Sequence, residues 1–277
     1  MRWWPAPAKL NLFLHVTGRR HDGYHDLQTV FQLLDWCDDV GVEITADGAI
    51  TRVSGPESIP PESDLTVRAA RLLAATTGVP LGARLTLRKR LPSGGGLGGG
   101  SSDAATVLRV LNHLWDTRLS LPRLAELGLT LGADVPVFVY GSSAWGEGRG
   151  EQLHPVTLPE RWFLVIHPGV AINTAEIFQA AELTRNSPLI TIRAFSPAET
   201  RNDCERVARA RYPEVAAALD WLARFAPSRL TGTGSCIFAA FATAAAAERI
   251  AARVPDRWSA HVARGLQQSP LQAALPA

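Results

Sequence analysis

Residues 91–108 read LPSGGGLGGGSSDAATVL, with glycine at six of the seven positions from 94 to 100. Ordering glycine costs backbone entropy and packs no side chain, so such a run makes sense where bare backbone is wanted. The flanks show where the run stands. ARLTLRKRL (83–91) alternates apolar and polar residues and predicts a strand. Ala105, Leu108, Leu111 and Trp115 share one face of a helix expected over 102–115, with Ser101 or Ser102 as its natural N-cap. Bare backbone between a strand and a helix start is an anion cradle, because free N–H groups converge and the helix dipole adds partial positive charge.

Two common phosphate patterns fit poorly. The GxxxxGK[ST] loop of nucleotide hydrolases needs a Gly-Lys pair, and the chain has none. The dinucleotide fingerprint GxGxxG is formally present at Gly94, Gly96 and Gly99, with Asp116 as the acid 20 residues after Gly96. That acid should end a second strand, whereas Asp116 closes a helical stretch.

The rest of the chain alternates strands and helices. Strands are expected over 7–16, VFQLLDWCDDVGVEIT and AITRVSG, with TGRRHDGYHDLQT as a turn-rich loop between the first two. Helices are expected over 64–78, from Ser120 to about Gly128, and from the Asp134–Pro136 start. GEGRGEQLHPVTLPERW is rich in glycine, proline and charge and reads as a boundary between domains 1–154 and 155–277. Beyond it lie the strand WFLVIHPG, helices near 175–182, 200–210 and 213–225, and two strands within 228–241.

Bulk properties exclude other classes. The 277 residues carry a net charge of +2 with no basic block, which argues against a nucleic-acid partner. Three cysteines without CxxC spacing suit a reducing, cytoplasmic setting. Prolines, Lys9 and Asn11 interrupt any signal-peptide core, and CIFAAFATAAAA is too short to span a bilayer, so no membrane role is expected. Of the 28 cationic residues only Lys9 and Lys89 are lysine, which singles both out as sites wanting a compact point charge.

PSGGGLGGGSSDAA resembles the glycine–serine loop of the small-molecule kinases that act on galactose, homoserine, mevalonate and phosphomevalonate. Two further motifs of that superfamily have counterparts, PAPAKLNLFLHVTGRRHDGYHDLQTVFQ (5–32) and SRLTGTGSCIFAAF (228–241). Together with LTLGADVPVFVYG and FLVIHPGVAINTAEIF, they are most similar to the branch that acts on 4-diphosphocytidyl-2-C-methyl-D-erythritol, in the mevalonate-independent route to isoprenoids. The resemblance runs over about residues 3–271.

It implies a two-domain α+β fold, the N-terminal half like domain 2 of ribosomal protein S5 and the C-terminal half ferredoxin-like. It implies ATP and Mg²⁺ as cofactors and a cytidine-diphosphate methylerythritol as the small-molecule partner, with the oligomeric state left open. Pro92, Ser93, Gly94, Gly95, Gly96, Leu97, Gly98, Gly99, Gly100, Ser101 and Ser102 would wrap the triphosphate, with Lys89 on the nucleotide side. Asp134 would be the catalytic base and Lys9 its neighbour, neutralising charge near the acceptor oxygen. Tyr24 and Phe178 would sandwich the cytosine while His25 reads its edge, and Asn11 and Thr174 would stand near the substrate. Asp103 is expected to face solvent or help hold Mg²⁺. No metal ligands are assigned. His21, His25, Asp22 and Asp26 offer a metal-like cluster without a further ligand set. A related small-alcohol kinase is the nearest alternative, and a nicotinamide-dependent oxidoreductase or an RNA-associated module stands further off.

Overall fold

The computed structural model describes residues 1–275; the last two residues of the second expected domain lie outside the described residues. The first half runs β1 (Arg2–Arg19), β2 (His25–Thr45), β3 (Ile50–Ser54), α1 (Leu65–Thr77), β4 (Gly82–Arg88), α2 (Gly99–Leu114), α3 (Leu121–Leu131), α4 (Val135–Tyr140), β5 (Ala144–Glu147) and β6 (Gln152–Pro155). The second runs β7 (Trp162–His167), α5 (Thr174–Gln179), α6 (Asp203–Arg211), α7 (Pro213–Ala223), β8 (Ser228–Leu230), β9 (Ile237–Phe241), α8 (Ala244–Ala251), β10 (Ser259–Leu266) and α9 (Pro270–Ala274).

The strands join one sheet along the path β3-β4-β2-β10-β7-β9-β8, with β1 and the β5–β6 hairpin also paired to β2. Two cores form against it. Helices α1 to α4 bury Leu73, Leu108, Leu111 and Val135 against Trp4, Phe31, Leu33 and Leu85 of the sheet. In the second half Val207, Leu219, Leu222 and Ile250 cover Leu164, Ile166 and Ile237. β1 serves both cores: Trp4 and Ala6 belong to the first, Leu14 and Val16 to the second. Its ladder with β2 is irregular between Pro7 and Lys9 and again between Asn11 and Leu14. Such bulges re-aim side chains next to functional sites.

Several boundaries depart from the sequence reading. β1 and β2 are 18 and 21 residues long, so the loop expected between them shrinks to a tight turn around Asp22 and Gly23. Helix α3 continues past Gly128 to Leu131. CIFAAFATAAAA splits at Thr243, whose side chain accepts from Ala246 N and starts α8. β10 is not evident in the sequence because only Ala263 along it is buried. Among the described residues no helix is long and apolar enough to cross a membrane.

Candidate active site

The glycine stretch is a fixed loop with one polarity exposed. The Gly94 carbonyl accepts from Ser235 N (3.3 Å), Gly95 from Cys236 N (3.1 Å), Leu97 from Lys9 N (3.0 Å) and Gly98 from Ser102 N (2.8 Å). The Gly96 carbonyl accepts from Lys9 Nζ at 3.0 Å. Among the described residues, no backbone N–H from Gly94 to Ser101 has an intramolecular acceptor. Carbonyls are consumed by β1 and by the 231–236 turn, and the donors are left for a ligand. Gly96 and Gly98 show why side chains are excluded. Both have positive φ (75° and 72°). A Cβ at Gly96 would overlap the Thr231 carbonyl, and one at Gly98 would lie 2.9 Å from the Phe138 ring.

Helix α2 begins three residues earlier than expected. Gly98 is its N-cap and no side chain caps it, so neither Ser101 nor Ser102 has that role. A serine cap would consume one of the orphan N–H groups of the first turn, and here those groups stay available.

Pro92, Ser93, the run Gly94 to Ser101, Lys89 and Asp103 line a cavity of about 370 Å³. Ser63, Asp64 and Leu65 close its other side. Ser102 does not face this cavity; it is fully buried and its hydroxyl has no partner. A second cavity of about 240 Å³ adjoins the first, and Gly96, Ser101, Asp134 and Thr174 line both. A larger cavity of about 840 Å³ lies between the 155–161 segment and Phe195, and none of the catalytic or binding residues that the resemblance implied lines it. Volume alone favours it. Its chemistry does not, because Arg229, a half-buried cation in its wall, is spent on the carbonyls of Leu12, Pro197 and Thr200.

Lys9 and Asp134 meet where the two smaller cavities join. Lys9 is 2% exposed. Its ammonium donates to Asn11 Oδ1 (2.6 Å) and to the Gly96 carbonyl (3.0 Å), and it pairs with Asp134 Oδ2 at 3.2 Å. Its donors are therefore all directed. Asn11 sits two residues along the same strand, on the same face. It is fixed by Nδ2 to Thr29 Oγ1 (2.9 Å) and by its backbone N–H to Thr231 Oγ1 (3.0 Å). Asp134 stands at the N-cap position of α4 but makes no cap hydrogen bond. Its carboxylate points to Lys9 and keeps about a third of its side-chain surface open. Across the cleft, Thr174 at the start of α5 shares a 2.9 Å hydrogen bond with Thr233.

The residues expected at the cytosine meet further partners. His25 stacks on Phe178 with centroids 5.2 Å apart. Arg185 Nε donates to His25 Nε2 at 3.1 Å, which leaves the ring proton on Nδ1. Burial lowers the His25 pKa, and the charges of Arg185 and Arg19 add to the effect. Tyr24 is half-exposed and lies 3.8 Å below the Arg149 guanidinium. Phe178 and Arg149 line the smaller cavity; Tyr24 and His25 stand behind them. His21 and His25 form no metal cluster with their neighbours, since Arg20 engages both Asp22 (3.3 Å) and Asp26 (3.2 Å).

Lys89 lines the larger member of the pair of cavities, but its ammonium is already held by Asp38 and by Asp103 Oδ2 at 2.6 Å. Asp38 also accepts from the backbone N–H groups of Arg90 (2.5 Å) and Leu91 (2.9 Å). Asp103 is 2% exposed, contrary to the expectation that it faces solvent, and its Oδ1 has no partner. Two buried carboxylates thus share one ammonium. Burial pushes Asp103 up to about 7; Lys89 opposes this and Asp38 reinforces it. Burial also works against the Lys89 charge, but the two carboxylates outweigh it and hold the ammonium above its ordinary range.

Sequence reasoning missed Asp38, Arg149, Arg185, Thr231 and Thr233. Asp38 sits in DWCDDV, which reads as a solvated acidic patch, and its partner is 51 residues away. The threonines belong to the Gly-Thr-Gly-Ser turn, where attention fell on the backbone. Asp116, the acid a dinucleotide site would need, is exposed, paired with Arg118 at 2.8 Å, and stands beyond the far end of α2.

Comparison with known proteins agrees with this geometry. The family described as "GHMP kinases N terminal domain" matches residues 64–142, and "GHMP kinases C terminal" matches 180–260. A 4-diphosphocytidyl-2-C-methyl-D-erythritol kinase of Alkalilimnicola ehrlichii is 57% identical over 98% of this chain and 93% of its own length. The enzyme of that name from Halorhodospira halophila is 54% identical over 98% of this chain and 96% of its own. The crystal structure of a 4-(cytidine 5'-diphospho)-2C-methyl-D-erythritol kinase superposes with a TM-score of 0.84 at 33% identity, covering 95% of this chain and 99% of that one. A mevalonate kinase shares the fold, with a TM-score of 0.71 at 13% identity over 97% of this chain. With both halves matched and more than half of its residues shared with full-length relatives, the chain belongs to the 4-diphosphocytidyl-2-C-methyl-D-erythritol kinases, a branch of the GHMP kinases.

Proposed function

We propose that the chain transfers the γ-phosphoryl group of ATP to the 2-hydroxyl of 4-diphosphocytidyl-2-C-methyl-D-erythritol. The observation that carries this reading is the Lys9–Asp134 pair at the shared edge of two cavities, one of them walled by unpaired backbone N–H groups. Phosphoryl transfer needs positioning and charge neutralisation more than covalent chemistry. The N–H groups of Gly94 to Ser101 and the start of α2 hold the triphosphate. Asp134 takes the proton of the attacking hydroxyl as the new O–P bond forms and the β–γ bridge breaks, releasing ADP. Lys9 stabilises the charge developing on the acceptor oxygen. Asn11 and Thr174 position the acceptor, and Phe178, with His25 behind it, forms the cytosine end.

The residues present suit a metal carried in by the nucleotide. Among the described residues there is no group of three or more His, Cys, Asp or Glu that could hold a metal by itself. Mg²⁺ asks for less, one or two carboxylates plus substrate phosphates. Asp134, about a third open at the junction of the cavities, is the carboxylate placed for that. Bound there, Mg²⁺ would neutralise charge on the transferring phosphates. Asp103 is less suited, because it is buried as well as held by Lys89, whereas Asp134 keeps open surface beside Lys9.

Release of ADP from Mg²⁺-ATP, measured with this acceptor and with free methylerythritol, homoserine, mevalonate and galactose, tests the assignment. Turnover confined to the cytidine compound is the expected result, and turnover with a different acceptor alone would overturn the substrate assignment. Phe178→Ala is expected to raise the KM for the cytidine acceptor about tenfold or more, as loss of an aromatic contact predicts, with the ATP KM unchanged. Gly96→Ala is expected to cost about 1–3 kcal/mol of stability through overpacking and to weaken ATP binding. Denaturant titration and nucleotide calorimetry read the two effects separately.

A further inference from the structure

Resting on the acceptor proposed above, we infer that Arg149 grips the diphosphate of that acceptor and sets its selectivity for a phosphorylated over an unphosphorylated cytidine. The smaller cavity has three charged residues in its wall, Lys9, Asp134 and Arg149. Lys9 is fully committed to Asn11, Gly96 and Asp134. Arg149 is not. Among the described residues its guanidinium forms no ion pair and donates no side-chain hydrogen bond, although its Nε is buried. Leaving a buried donor unsatisfied is costly, and an anionic guest removes that cost.

The local structure holds the cation ready. Arg149 is at the tip of the β5–β6 hairpin, between Gly148 (φ 69°) and Gly150 (φ 111°). Leu27 N donates to the Gly148 carbonyl at 2.6 Å, and Arg149 N donates to Glu151 Oε2 at 2.6 Å, so the tip is tied to β2 and to itself. The guanidinium lies 3.8 Å over the Tyr24 ring, which fixes its plane and leaves its edge free. A planar fork with a free edge suits two phosphate oxygens at once.

The chemistry of the acceptor places a diphosphate between a cytidine and a sugar alcohol. The reacting hydroxyl belongs beside Asp134 and the base beside Phe178, so the two negative charges lie between them in the same cavity. Among nearby acids, Asp22 is exposed and taken by Arg20, and Glu151 accepts from the Arg149 backbone N–H.

The test compares wild type with Arg149→Gln and Arg149→Lys, using CDP and cytidine as calorimetric probes and steady-state kinetics with the full acceptor. Arg149→Gln is expected to weaken CDP about 10- to 100-fold, the range for a lost charged hydrogen bond. It should leave cytidine affinity and the ATP KM in place and raise the acceptor KM with little change in kcat. Arg149→Lys should recover only part of the loss, because an ammonium cannot make the bidentate contact. Unchanged CDP affinity in Arg149→Gln, or an equal loss for CDP and cytidine, would overturn the inference. Absence of turnover by the wild type would instead count against the proposed acceptor, and the CDP-to-cytidine ratio would still report on Arg149.

Discussion

Asp134→Asn is expected to lower turnover by about two to four orders of magnitude, the usual worth of a general base, while ATP still binds. The separation follows from geometry. The nucleotide cavity is walled chiefly by backbone N–H groups, which the substitution does not touch, and Asp134 stands only at its edge. Asparagine keeps the volume and can still face Lys9, but it cannot accept the hydroxyl proton. Single-turnover ADP formation measures the loss, and nucleotide calorimetry checks that binding survives. A variant retaining a third of wild-type turnover would remove Asp134 from the role of base. Lys9→Ala is a harsher change, because it also frees the Gly96 carbonyl and Asn11 from their shared partner.

The second large effect concerns stability. Lys89→Met should destabilise the fold by about 3–5 kcal/mol, the cost of leaving buried charge uncompensated. Asp38 is fully buried and Asp103 nearly so, and Lys89 is the cation that both of them contact. The double variant Lys89→Met with Asp103→Asn should recover part of that loss by removing one of the stranded carboxylates. Asp103 adds a pH signature. Its carboxyl, raised from 3.8 to about 7, holds a proton in the folded state that the unfolded chain has already released. Its contribution is complete below the ordinary carboxyl range and is lost as pH rises through about 7. Asp103→Asn should therefore gain on wild type between pH 4 and 7, in denaturant titrations repeated across that range.

The lysine count in the sequence pointed to the right places for a partly different reason. Lys9 lines one of the two adjoining cavities and Lys89 the other, as an arginine-rich chain suggested. What the composition could not reveal is that each is paired with aspartate, because the fold brings the partners in: Asp38 by pairing of β2 with β4, Asp103 from helix α2 and Asp134 from the start of α4. The glycine run was legible because its geometry is local. Its helix start was misread because a ligand-binding helix leaves vacant the cap that an ordinary helix fills. Arg149 was hidden for a related reason. The turn of a β-hairpin and a linker between domains have the same composition, and only pairing with β2 separates GEGRG from a tether. The stack of His25 on Phe178 depends on Arg185, 160 residues from His25, and no periodicity encodes such a contact.

β2 pairs with β1, β4, β5 and β10, and β10 in turn pairs with β7. The two cores are therefore sewn to one ladder of backbone hydrogen bonds and are not hung from a pivot. Swinging one half away from the other would break the β2–β10 pairing at Leu33 and Leu34 and bend β1, which carries residues of both cores. The parts of the site that can shift without breaking this pairing are small: side chains such as Arg149 and Tyr24, or the hairpin tip that carries one of them. An enzyme built this way meets its two substrates with its catalytic distances already set, and its specificity resides in what fits rather than in what closes.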